Sequence, residues 1–112
     1  MKLIDFMGNF NKYVYRIFIE SEFIIFKNSK EFKGNQLDVN SGFIHLSTLN
    51  QIDDTVKRYF RIEKELSIVQ FKTIDLSSCL KWEKSRDTQL FPHFYGVLKF
   101  GWVRDVKTRF NL

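Results

Sequence analysis

The chain has 112 residues, enough for one domain with a real core and too few for two. Hydrophobic residues make up 44% and charged residues 28%, as in soluble globular proteins, while 13 Phe, 4 Tyr and 2 Trp imply a core of large flat side chains. A net charge of +5 permits nucleic-acid contact without establishing it, the single cysteine excludes an intramolecular disulfide or a CxxC pair, and no apolar run reaches membrane-spanning length.

Residues 1–12 are too short and too polar for a signal sequence and read as an extension ahead of one domain over residues 13–112, with a cytoplasmic location expected. Tyr13–Ile19 is rich in β-branched and aromatic residues and reads as a strand. Ser21 is placed to cap a short helix over residues 22–27, with Phe23 and Phe26 on one face. Residues 28–40 are polar, contain Gly34 and read as a loop with at most one short strand. Gly42 opens a second strand at residues 43–46, and Ser47 or Thr48 then caps a helix expected over residues 49–64. In that helix Leu49, Ile52, Val56, Tyr59 and Phe60 follow helical spacing, and Asp53–Lys57 and Asp54–Arg58 form i,i+4 pairs. A strand over residues 66–74 and a turn or short helix over residues 75–80 follow. Residues 85–89 are a loop, and the last strands fall at residues 94–100 and 103–110. Strands outnumber helices and cluster late, which predicts an α+β fold: small split mixed or antiparallel sheets with two to three short helices.

The chemistry-bearing residues fall into three words. In the first, Gly42 to Thr48, strand alternation puts His45 on the face of Phe43 and Ser47, away from Ile44 and Leu46. If Ile44 and Leu46 face the core, His45 faces a cleft. The hydroxyls of Ser47 and Thr48 either cap the helix or bind a ligand hydroxyl or phosphate at its N-terminus. The second word is Trp82-Glu83-Lys84-Ser85-Arg86. Glu83 beside Trp82 is either raised in pKa by desolvation or held ionised by a cation such as Arg86, unless it is merely a surface partner of Arg86. In the third word, Phe91 to Gly96, His93 and Tyr95 are two apart and share a side if the segment is a strand, where they clasp a flat ring or finish the core. Histidine is the side chain best placed to move a proton near neutral pH, and both histidines of the chain lie in these words. Cys79 reads as a small buried hydrophobe, no metal ligands are assigned, and Lys99, Arg104, Lys107 and Arg109 read as a solvated strand face or a weak polyanion patch.

Together the words resemble the small bacterial family known only as domain of unknown function 952, over roughly residues 15–106. The resemblance is carried by Tyr15-Arg16-Ile17, Asp38, Gly42 to Thr48, Gln51, Thr55, Phe60, Asp75, Trp82-Glu83, Ser85-Arg86 and Phe91 to Gly96. It implies kinship with the ADP-ribosyltransferase superfamily, a split α+β fold that clasps NAD between two small sheets. In that reading NAD is a possible substrate rather than a firm cofactor. His45, Glu83 and His93 are the catalytic candidates, with Glu83 steadying an oxocarbenium-like transition state and a histidine binding phosphate or shuttling a proton. Phe43, Ser47, Thr48, Trp82, Arg86 and Tyr95 are the ligand-binding candidates, with Tyr95 or Phe43 stacking the nicotinamide. The expected partner is a small nucleotide-like ligand. The alternative is a non-catalytic module for a nucleotide, metabolite or RNA end.

Overall fold

The computed structural model describes residues 11–111, so most of the expected N-terminal extension lies outside the described residues. In chain order the elements are β1 (Tyr13–Ile19), α1 (Glu20–Ser29), β2 (Glu31–Phe32), α2 (Gln36–Ser41), β3 (Ile44–His45) and α3 (Ile52–Tyr59). They continue with β4 (Glu65–Lys72), α4 (Thr73–Leu76), β5 (Leu80–Lys84), β6 (Leu90–Phe94), β7 (Leu98–Lys99) and β8 (Val103–Phe110). The sheets are ordered β1-β4-β8, β2-β7 and β3-β6-β5, and every pairing among the described strands is antiparallel. The architecture is thus α+β with small antiparallel sheets. No helix among the described residues is long and apolar enough to cross a membrane.

β1 is buried on both faces, which its run of β-branched and aromatic residues allows. Val14 and Phe18 enter the larger apolar cluster with Val69 and Phe71 of β4 and Ile44, Leu46 and Phe94 from the β3-β6-β5 sheet. Phe18 anchors this cluster, stacked on Phe26 of α1 at 5.2 Å and edge-on to Phe32 at 4.9 Å. Tyr15 and Ile17 turn the other way, against Ile52 and Val56 of α3. The two larger sheets are stitched where Tyr15 and Ser47 exchange backbone hydrogen bonds of 2.8 Å.

Local expectations differ from this fold in several places, among them β5, which forms where no strand is expected. Residues 28–40 were expected to be largely loop, but α2 forms there. Asn35 accepts from the Asp38 N–H (3.1 Å) while Asp38 Oδ2 accepts from the Asn35 N–H (2.8 Å), a reciprocal cap built with Asp instead of the usual Glu or Gln. α1 starts at Glu20 without a side-chain cap, so Ser21 lies inside it. Thr48 does open the third helical segment, first as a 3-10 turn at Leu49–Gln51. That segment ends at Tyr59, short of residue 64, because Phe60 leaves helical geometry and the Asn111 side-chain amide donates to its carbonyl at 2.7 Å. Leu49 and Tyr59 are consequently exposed while Ile52 and Val56 are buried. Of the two expected helix-face pairs, Asp54–Arg58 forms at 3.0 Å, whereas Asp53 meets Arg109 of β8. Finally, the strand expected over residues 94–100 is divided: Phe94 ends β6, Leu98–Lys99 form the short β7, and a 3-10 turn occupies Phe100–Trp102.

Candidate functional site

The register of β3-β6-β5 places His45 directly opposite His93, and His93 opposite Lys81. Directly opposed residues share a face, and alternate residues of a strand return to it. One face therefore carries His45, Glu83, Phe91 and His93, while Ile44, Trp82 and Phe94 turn into the apolar cluster. Phe43 stacks on the His93 ring at 3.8 Å between centroids, and the two imidazoles lie 6.0 Å apart.

His45 is held by Asp38. Its Nδ1 lies 2.7 Å from Asp38 Oδ1, which also accepts from the His45 backbone N–H (3.0 Å) and from Arg16 Nη1 (2.9 Å). Arg16 Nη1 donates further to the His45 carbonyl at 3.1 Å. Burial pushes the Asp38 carboxyl up, but the His45 hydrogen bond, the Arg16 charge and the other donors outweigh it and hold the group well below the usual carboxylate range. An ionised Asp38 only accepts, so Nδ1 of His45 donates to it. Among the described residues Nε2 of neither histidine has a hydrogen-bond partner.

His93 repeats the device in a different setting. Its Nδ1 lies 2.8 Å from Glu83 Oε1, and the Tyr95 hydroxyl donates to the same oxygen at 2.6 Å. These two hydrogen bonds lower the Glu83 pKa, and the one from Tyr95 raises that of the phenol. Burial pushes the His93 imidazole below its ordinary value, with His45 adding to the effect and Glu83 partly opposing it. The carboxylates differ in exposure: the Asp38 side chain is 2% exposed and that of Glu83 39%.

Both histidines line a cavity of about 220 Å³. Arg86 lines it too, its Nη2 donating to Thr55 at 2.9 Å and lying 3.4 Å from Asp54 of α3. The guanidinium packs between the rings of Phe91 (4.7 Å) and Tyr59 (5.4 Å), a cation–π brace that fixes its position. Arg16, Ser47, Thr55 and Ser85 add polar groups to the walls. Arg16 Nε is buried without a partner, which leaves one donor of this wall unsatisfied. Among the described residues no three His, Cys, Asp or Glu side chains gather as a metal-binding group.

Of the residues singled out from sequence, His45, His93, Ser47 and Arg86 meet at the cavity. Glu83, Tyr95 and Phe43 sit behind His93 and do not line it. Glu83 pairs with His93 and Tyr95, not with Arg86. Trp82 packs against the core on the opposite sheet face. The Thr48 N–H donates to Gln51 Oε1 at 3.0 Å, and Gln51 in turn donates to the Leu90 carbonyl at 2.9 Å, tying the start of the helical segment to β6. Cys79 is half-buried and packs on the core. Arg16, Asp38, Thr55 and Ser85 enter the sequence reading only through the family resemblance and Tyr59 only as a helix-face position, none of them as a site residue. The N-x-x-D spacing of Asn35 and Asp38 was the available signal for Asp38.

The fold and this cavity define a small α+β protein with a histidine-paired pocket between two sheets, its walls mixing polar groups with apolar side chains. The chain belongs to the family described as protein of unknown function (DUF952), whose model matches residues 17–106. It is similar to protein CC0527 from Caulobacter crescentus, whose crystal structure superposes with a TM-score of 0.81 at 32% identity, covering 86% of this chain and 84% of that one. A double mutant of CC0527 gives 0.81 at 31% identity over 86% and 84% of the two chains. The solution NMR structure of CC0527 gives 0.77 at 32% over 86% and 83%. None of the curated proteins matches the chain.

Proposed function

We propose that the chain binds NAD or a related nucleotide by a phosphorylated ribose end in this cavity, and transfers or removes ADP-ribose, with kinship to the ADP-ribosyltransferases. The observation that carries the proposal is the cross-strand pair His45–His93, each Nδ1 tied to a carboxylate, on a wall shared with a braced Arg86. Arg86 supplies a fixed cation for phosphate, and the wall hydroxyls suit a sugar. At about 220 Å³ the cavity is below the roughly 300–1,000 Å³ of drug-sized sites, so it takes one end of such a ligand.

The two histidines take different roles. Asp38 is sealed and pinned by Arg16, so His45 is held in a fixed orientation and positions the ligand. Burial favours the neutral form of His93 and Glu83 holds its Nδ1, so His93 serves as the general base. It takes the proton of the attacking acceptor or water as the glycosidic bond to nicotinamide breaks. Glu83 acts in this scheme by holding His93.

The position of Glu83 outside the cavity also favours the second reading, a non-catalytic module for a nucleotide, metabolite or RNA end, because Glu83 then does not flank a cationic sugar. A thermal-shift screen of wild type and His45→Ala with NAD, ADP-ribose, nicotinamide and mononucleotides tests the proposal. Ligand at a hundred times Kd stabilises by about 2.7 kcal/mol, so binding raises Tm in the wild type, and His45→Ala loses the shift. Absence of a shift with every nucleotide overturns the proposal. A shift without nicotinamide release selects the binding module.

A further inference from the structure

We propose that Tyr59 and Leu37 form a ring-binding mouth to the cavity, taking the planar heteroaromatic base of the ligand while its phosphorylated ribose lies inside. The inference rests on the nucleotide reading above and adds to it where the base goes.

The aromatic side chains near the histidines are already engaged. Phe43 is stacked on His93, the Tyr95 hydroxyl is committed to Glu83, and Phe91 is buried beneath Arg86. Tyr59 differs from all of these. It lines the cavity, is 60% exposed, and carries the Arg86 guanidinium over its ring. Arg86 is itself held by Thr55 and Asp54, so the ring it braces is a preset platform. Leu37 of α2 lines the same cavity and is 55% exposed. Two large apolar side chains from different helices are thus left to water at the opening of a pocket whose depth holds only part of a nucleotide. A flat base resting there covers both, and every base has a π-face to stack. Arg86, behind the ring and on the cavity wall, then lies within reach of the phosphate.

Calorimetric titration of wild type, Tyr59→Ala and Tyr59→Phe with adenosine monophosphate, nicotinamide mononucleotide and ribose 5-phosphate tests this. Tyr59 is exposed, so Tyr59→Ala retains the fold, and its melting curve checks that. Tyr59→Ala removes one of the contacts on Arg86 but leaves those to Thr55, Asp54 and Phe91, so it is expected to weaken both base-bearing probes roughly tenfold more, about 1.4 kcal/mol, than it weakens ribose 5-phosphate. Tyr59→Phe is expected to bind as the wild type does. Equal weakening of all three probes overturns the ring mouth, as does no weakening of any. If the wild type binds ribose 5-phosphate as tightly as the mononucleotides, the mouth is overturned while the cavity reading stands. A wild type that binds none of the three overturns both.

Discussion

At the residue scale, the same imidazole–carboxylate contact serves two ends. Around His45 the carboxylate is sealed and receives donors from Arg16 and from the backbone, so the ring is locked. Around His93 the carboxylate is open and shared with Tyr95. Burial favours neutral His93, and Glu83 is the group that favours its charged form. Glu83→Gln keeps an acceptor for Nδ1 and removes the charge, so the His93 pKa is expected to fall further below its ordinary value. Following the ring proton shifts of His93 by NMR against pH checks this. An unchanged or raised value means that Glu83 is not the partner of His93 in solution.

At the element scale, two glycines bracket α2 and hold the site in different ways. Gly42 ends the helix with φ +87 and has nothing within 4 Å of an added Cβ, so Gly42→Ala carries only the left-handed backbone cost of about 1–2 kcal/mol. Gly34 has φ +109, and a Cβ there would lie 2.7 Å from Asp38 Cβ. Gly34→Ala therefore adds steric displacement of Asp38 to its backbone strain. It is expected to lower Tm more than Gly42→Ala and to alter the His45 ring signals, which Gly42→Ala leaves in place. Melting curves and NMR spectra of the two variants separate these effects. The turn chemistry of α2 was present in the sequence as N-x-x-D and a following glycine, yet its polar composition masked a helix too short to show an apolar stripe.

At the scale of the whole molecule, the same two pairs make stability depend on pH in one direction. Asp38 has a folded pKa below its unfolded value near 3.9, so its contribution is present above that pH and is lost as the pH falls toward the depressed value. His93 is also depressed, from about 6.5, so the folded state binds its proton less readily and its contribution declines as the pH falls below that value. Urea unfolding at pH 7.5, 5.5 and 3.5 is expected to show a first loss between the upper two and a further loss at the lowest. His93→Gln should remove the first loss and keep the second. Persistence of the first loss in that variant would assign it to another group.

Much of the framework was legible along the chain. β1, β4 and β8 were recognisable from their β-branched and aromatic content, and the alternation of Ile44, His45 and Leu46 tied the histidine's face to theirs, which the burial of Ile44 and Leu46 in the fold then fixes as opposite the core. The sequence by itself determined which residues share a face, because side-chain alternation is a local property of an extended backbone. Only the tertiary structure decided which faces meet. The opposition of His45 to His93 depends on strand register, Arg16 reaches Asp38 across 22 residues, and Arg86 reaches Thr55 across 31. Such contacts arise from how sheets pair and pack, which no local pattern encodes. For that reason Glu83 could be marked as a carboxylate of interest from sequence, while its place behind His93 rather than in the cavity had to come from the fold.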